Sequence, residues 1–199
     1  MSPSSRGEKT RQRILAYASR IFYERGIRKI TVEELCVGIG ISKRTFYKYF
    51  ANRDELVETL VIERITTFGT LIIENLNSDK AVDDILKTHF HLLLNNMFSQ
   101  VSTQMMADIQ LLLPHIWDQI EYFRHGLMEI MAKVLMRGQK DGSINKNIEP
   151  EVVGKILQSL VLHLANPQFL LANGLSIEQL VTNWQNIMLY GVLSSQGRS

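Results

Sequence analysis

Residues 31–50, TVEELCVGIGISKRTFYKYF, constrain the fold more tightly than any other stretch of the chain. Thr31 followed three residues later by Glu34 is a capping box. The hydroxyl accepts from a free backbone N–H of the first turn, and the carboxylate reaches back to the cap. This box opens a short helix containing Val32, Leu35 and Cys36, which Gly40 breaks. Ser42 then caps a second short helix running from Lys43 to about Tyr49. Two short helices meeting across a glycine-containing turn make a helix-turn-helix. Leu35, Cys36, Ile41, Phe46 and Phe50 supply a small apolar core, with Phe46 and Phe50 as i,i+4 neighbours on one face. Lys43, Arg44, Thr45, Tyr47 and Lys48 project elsewhere, as donors for phosphates and base edges. A helix carrying such groups can enter the DNA major groove, which is about 12 Å wide. Any helical hairpin with a glycine turn shares part of this pattern.

The rest of the chain keeps the same helical period. Residues 8–25 place Ile14, Leu15, Ala18, Ile21 and Phe22 at helical spacing, with Lys9, Arg13 and Arg20 on a different face. Gly26 supplies a stop. Asn52, with Glu55 three residues on, starts a long helix to about residue 75. Further helices are expected at 80–100, 102–113, 115–138, 150–172 and 176–194, the last opened by a Ser176–Gln179 capping box. Residues 139–148, which hold Gly142, read as a helix–helix connection rather than a hairpin. No segment alternates as a strand does, so the expected fold is all-α with about nine helices.

Charge divides the molecule. Over 199 residues the net charge is +2, but residues 1–53 hold twelve Lys/Arg against four Asp/Glu, or +8. The remaining 146 residues hold ten against sixteen, or −6. This segregation suggests a nucleic-acid-facing end on an acidic body, although charge alone also fits a solvated basic face that binds nothing. The domains expected are residues 1–53, extending into a linking helix to about residue 75, and residues 54–199. A single cysteine forms no internal disulfide, no apolar run reaches membrane-spanning length, and the basic N-terminus has no apolar stretch behind it. A cytoplasmic protein is the expectation.

The run around residues 21–56 closely resembles the DNA-binding domain of the TetR family of transcriptional regulators. The features that match are Phe22 through Gly26, the Thr31 cap and its small-residue helix, Gly40-Ile41-Ser42, the Thr45–Phe50 aromatic core, and Asn52-Arg53 followed by Glu55-Leu56. Cys36 and Ile39 stand where the family has alanine more often, and Arg53 where lysine is commoner. The resemblance implies that Thr31, Ser42, Tyr47 and Arg53 contact phosphates, which fix register without reading sequence. It places Lys43, Arg44, Thr45 and Lys48 on the groove-facing surface, with Arg44 or Lys48 as candidates for guanine. Tyr49 either joins them or packs.

Beyond residue 60 the resemblance weakens, and the residues carry the reading. Six of the eight methionines lie within 89–136, together with several aromatics. Such side chains can line an adaptable pocket for a small apolar or amphipathic ligand, or form ordinary core. The candidate ligand residues are Phe90, Met97, Phe98, Met105, Trp117, Met128 and Met131. In residues 150–165, Val152, Val153, Ile156, Leu157, Leu160, Val161 and Leu164 sweep a wide apolar arc, and the last helix adds Leu180, Val181, Trp184, Ile187 and Met188. An arc this wide fits two packing partners, the body and another chain, or intramolecular core alone. The resemblance implies that the last two helices pair across a two-fold axis. The expected dimer contacts are Ile156, Leu160, Leu164, Leu180, Trp184, Ile187 and Met188.

No histidine has a carboxylate or cysteine at ligand spacing, so no metal site and no cofactor are expected. There is no phosphate loop, nucleophile elbow or dinucleotide fingerprint, so no enzyme is expected either. The function implied is a homodimeric, ligand-released repressor on a double-stranded DNA operator. The alternative is a helical small-molecule-binding module without specific DNA recognition.

Overall fold

A computed structural model describes residues 5–98, 101–160, 163 and 165–192. Among these are ten α-helices, two of them continued by π-helical turns, and no strand. The all-α expectation holds.

The first three helices build the basic end. α1 (Ser5–Arg25) presents Ile14, Ala18 and Phe22 as a fully buried stripe. α2 (Val32–Ile39) begins at the Thr31–Glu34 capping box and ends at Gly40. Gly40 sits at φ 73°, in the left-handed region where a Cβ is penalised, and its N–H donates back to the Cys36 and Val37 carbonyls. α3 (Lys43–Phe46) is capped by Ser42 and is shorter than expected, because residues 47–49 continue it as hydrogen-bonded turns. Leu35, Phe46 and Phe50 close over the α1 stripe, and Leu56 and Val57 of α4 complete this core. Ile39, bulky for its position, is buried here too.

α4 (Arg53–Leu76) leaves that core and enters the body, capped by Asn52 on the Glu55 N–H. α5 (Val82–Leu92) runs on as π-helical turns over Leu93–Phe98, where a single helix was expected. α6 (Thr103–Leu112) is capped by Ser102, and Pro114 opens the 28-residue α7 (Pro114–Asp141). At 1.5 Å per residue α7 spans about 42 Å.

The single helix expected over 150–172 is two helices, α8 (Pro150–Ser159) and α9 (Pro167–Ala172). The Asn166 side chain accepts from the Gln168 and Phe169 N–H groups, and Pro167 follows at the first helical position. A proline there has no N–H for the preceding turn and its ring excludes helical continuation, so a new helix starts. α10 (Ile177–Ile187) continues as π-helical turns over Met188–Val192.

α10 turns part of the expected dimer set towards its own core. Trp184 is buried edge-on against Phe90 of α5, with ring centroids 5.4 Å apart, and Met188 is also buried within the chain. Leu160 and Leu180 are half-buried against the same core. The physical reason is the length of the arc: Val181, Trp184 and Met188 follow the inward stripe, while Ile187 points out and is 67% exposed. Ile156 of α8 is exposed as well. Val161 and Leu164 lie outside the described residues, as do the side chains of Leu157, Met97 and Phe98.

Candidate nucleic-acid interface and ligand cavity

The exposed side of α2 and α3 gathers most of the expected DNA contacts. Thr31 Oγ1 accepts from the Glu34 N–H at 3.2 Å and donates to Glu34 Oε2 at 3.0 Å. The Thr31 backbone N–H, donating to Glu34 Oε2 at 2.8 Å, and then the Thr31 hydroxyl hold the Glu34 carboxyl below its usual range. Ser42 Oγ accepts from the Thr45 N–H at 3.1 Å and shares a second bond with the Thr45 hydroxyl at 2.9 Å. Both caps therefore stand at helix N-termini, where unpaired N–H groups and the helix dipole favour an anion. Lys43 Nζ donates to Glu33 at 2.8 Å, which holds its proton more firmly, and both groups remain on the surface. Arg44 and Lys48 are exposed, and no side-chain hydrogen bond or ion pair engages them among the described residues. Tyr47 stacks edge-on against Phe46 at 5.5 Å, so its ring is anchored while half of it faces solvent. Tyr49 is half-buried against the core.

Other cations of this end are engaged by the protein itself. Arg53 is three-quarters covered, and its Nη1 donates to the Ile27 and Ile30 carbonyls at 3.4 and 3.2 Å. It thus ties the start of α4 to the α1–α2 turn. Arg13 donates to the Ile39 carbonyl at 2.9 Å and so satisfies the end of α2. Arg11 pairs with Glu63 of α4 at 2.9 Å. Part of the +8 charge is therefore structural, which a count of residues does not show.

A second site lies in the body. A cavity of about 140 Å³ opens among α4, α6, α7 and α10, reaching α1 at Ser19. α4 contributes Leu60, Val61, Arg64 and Ile65; α6 contributes Met105, Met106 and Ile109. α7 adds Trp117, Phe123, Arg124 and Met128, and α10 adds Leu180 and Trp184. Of the candidate ligand residues, Met105, Trp117 and Met128 stand on the wall. Phe90 and Met131 are not on it: both are buried core, Phe90 between His89 and Trp184. Arg124 pairs with Glu121 at 2.7 Å and lies over the Trp117 ring at 5.1 Å, while Arg64 lies over Phe68 at 5.3 Å. Burial works against the charge of both guanidiniums.

Two wall groups were missed in the sequence. His89 of α5 is buried, and neither ring nitrogen has a partner among the described residues. Burial pushes its pKa down to about 4, so the ring is neutral near pH 7. Trp184 Nε1 is likewise buried without an acceptor.

One further residue joins the two sites. Asp108 of α6 is 2% exposed, and its Oδ2 accepts from the Ile27 and Arg28 N–H groups at 2.7 and 3.0 Å. Gln104 donates to its other oxygen at 3.0 Å. Its helix neighbours Met105, Met106 and Ile109 face the cavity. An acid inside the run Met105-Met106-Ala107-Asp108-Ile109 was the available signal, since a buried carboxylate needs partners.

Cys36 is buried, and burial pushes its thiol pKa up, which suits packing rather than reactivity. Among the described residues no cluster of three His, Cys, Asp or Glu side chains could hold a metal ion, and no helix is long and apolar enough to cross a membrane.

Residues 14–60 match the family model described as bacterial regulatory proteins, tetR family. An uncharacterized HTH-type transcriptional regulator, YdgC of Bacillus subtilis, is 22% identical over 194 residues, 95% of each chain. The HTH-type transcriptional repressor KstR2 of Rhodococcus jostii is 22% identical over 152 residues, 74% of each chain. Among solved structures, a putative transcriptional regulator from Saccharomonospora viridis in complex with choline superposes with a TM-score of 0.71 at 17% identity. That likeness covers 94% of this chain and 99% of the other, and it concerns the fold.

Proposed function

We propose that this chain, whose residues 14–60 match the tetR-family model, is a homodimeric repressor of that family, released from its operator by a small ligand in the body cavity. The observation that carries this reading is the sharing of helices between the two sites. α4 starts in the DNA-facing core and then lines the cavity with Leu60, Val61, Arg64 and Ile65. α6 lines the cavity with three side chains and holds the α1–α2 turn through Asp108. A ligand that fits better when α4 and α6 are displaced favours a pose of the reading end unsuited to the operator. Moving a 1:99 population to 99:1 takes about 5.5 kcal/mol of differential affinity.

On DNA, Lys43, Arg44 and Lys48 face the base edges, while Thr31, Ser42 and Tyr47 hold phosphates. Thr45 and Tyr49 border the groove, and Arg53 sets the angle between α4 and the reading end. Exposed apolar side chains support self-association: Val152 and Ile156 one turn apart on α8, and Ile187 and Tyr190 at the end of α10. Two copies joined there present two reading ends to successive major grooves, about 34–36 Å apart. The relative from R. jostii that is named a repressor agrees with the sign of regulation.

Selection of bound duplexes from a random library tests the reading. It should return a pseudo-palindrome with half-sites about one helical turn apart. Recovery of no preferred sequence would leave only a helical ligand-binding module.

A further inference from the structure

We propose that the cavity takes a small amphipathic anion, an aliphatic chain ending in a carboxylate. The chain lies against α6 and α10, and the carboxylate meets the guanidinium of Arg124 in the positive field of Arg64. The proposal rests on the reading of this cavity as the ligand site.

The wall is unevenly polar. Towards α6 and α10 it includes the buried apolar side chains of Met105, Met106, Ile109, Ile177 and Val181. α4 and α7 bring the partly exposed Leu60, Arg64, Ile65, Ile120, Phe123 and Arg124, which keep the accessible surface that a ligand contact requires. Both charged side chains of the wall are on this side, and both are cationic. The Arg124 guanidinium lies over the ring of Trp117, itself a wall residue, at 5.1 Å, so the charge as well as the stem stands at the cavity. Glu121, which is not on the wall, accepts from Arg124 Nη1 at 2.7 Å. A guanidinium carries five N–H donors, and its planar fork suits a carboxylate.

Charge and size narrow the class. Burial works against the charge of both arginines, and an anion beside them offsets that cost. The Trp117 face, the natural platform for an ammonium group, already carries Arg124, so a cationic ligand is disfavoured. A cavity of about 140 Å³ is close to one of about 150 Å³ that holds benzene, so about six carbon atoms are enclosed. The head and the carbons next to it then occupy the accessible α4–α7 side.

Octanoate, 1-octanol and octylammonium share one chain and differ in head charge, and isothermal titration calorimetry on the full-length protein ranks them. Octanoate should bind on the order of tenfold or more tighter than 1-octanol, because a charge-assisted bond is added to the same apolar burial, and octylammonium should bind weakest. Arg124→Gln should bring the octanoate-to-octanol ratio towards unity. Arg124→Lys keeps the charge but not the fork, and should give an intermediate ratio. Arg64→Gln alters a partly exposed side chain and should lower the ratio severalfold, which keeps the test open where an Arg124 variant does not fold. A parent ratio near one, or tightest binding of octylammonium, overturns the anion assignment but leaves a ligand cavity. A high ratio that every folded arginine variant retains also overturns it, since the carboxylate then lies elsewhere. Absence of binding by all three compounds overturns both the assignment and the reading beneath it.

Discussion

Arg44 and Tyr47 lie three residues apart on the same short surface and should behave differently when replaced. Arg44 is exposed and, among the described residues, has no ion-pair partner, which suits the proposed contact with guanine. Arg44→Ala should weaken the selected operator on the order of tenfold or more and relax the preference at one base position in each half-site. Tyr47→Phe should weaken all duplexes about equally, because a phosphate contact carries no sequence information. Both effects are read by competition between selected and altered duplexes, and an unchanged base preference in Arg44→Ala would sink its reading role. His89 makes a prediction in pH. Its folded pKa lies near 4 against an ordinary 6.5, so between those values the unfolded chain takes up a proton that the folded chain refuses. Stability should be full above about pH 6.5 and fall as pH drops towards 4. Urea unfolding at pH 7 and pH 5 should show a smaller pH loss in His89→Leu than in the parent. Residues such as Thr31, Gly40 and Ser42 were readable beforehand because their partners lie within four positions. Asp108 and His89 were not, because their significance depends on groups brought in from elsewhere: the Asp108 bonds reach back 81 and 80 residues.

Among the elements, α6 has the position of a connecting rod. Asp108→Ala leaves the Ile27 and Arg28 N–H groups without their acceptor, which should cost about 1–3 kcal/mol of stability. It should also reduce the ratio of operator affinities measured without and with a cavity ligand, because the α1–α2 turn no longer follows α6. Thermal unfolding checks the first effect and paired DNA titrations the second; full ligand response in a folded Asp108→Ala protein would remove α6 from the coupling. Helix existence was the most readable property at this scale, and helix facing the least. Caps at Thr31, Ser42, Asn52 and Ser176 announced four helix starts that the structure retains. The break before α9 had a signal of the same kind, Asn166-Pro167, which was outweighed by the continuous apolar spacing around it. The π-helical turns after α5 and α10 had no local signal. Which side of α10 meets the body is decided by packing against α5, so Trp184 and Ile187, both apolar on one helix, end on opposite sides.

At the scale of the molecule, the charge division and the two apolar surfaces support one proposal: a basic end for DNA, a body cavity for a ligand, and an outer face for a second copy. Replacing Ile156 and Ile187 together by aspartate places charge on that face without touching the core, since both side chains are more than half exposed. Sedimentation should then give the 22.8 kDa chain in place of twice that mass, and operator affinity should fall because one reading end engages alone. A dimer that survives both substitutions places the interface elsewhere. The central claim, that this chain recognises a DNA sequence through its basic end, is tested most directly by titrating the selected operator and a scrambled duplex at several salt concentrations. The account predicts binding to the operator on the order of a thousandfold tighter than to the scrambled duplex. It also predicts a steep linear fall of log affinity with log salt, as lysine and arginine contacts release counterions. Equal affinity for the two duplexes, or affinity indifferent to salt, would contradict it.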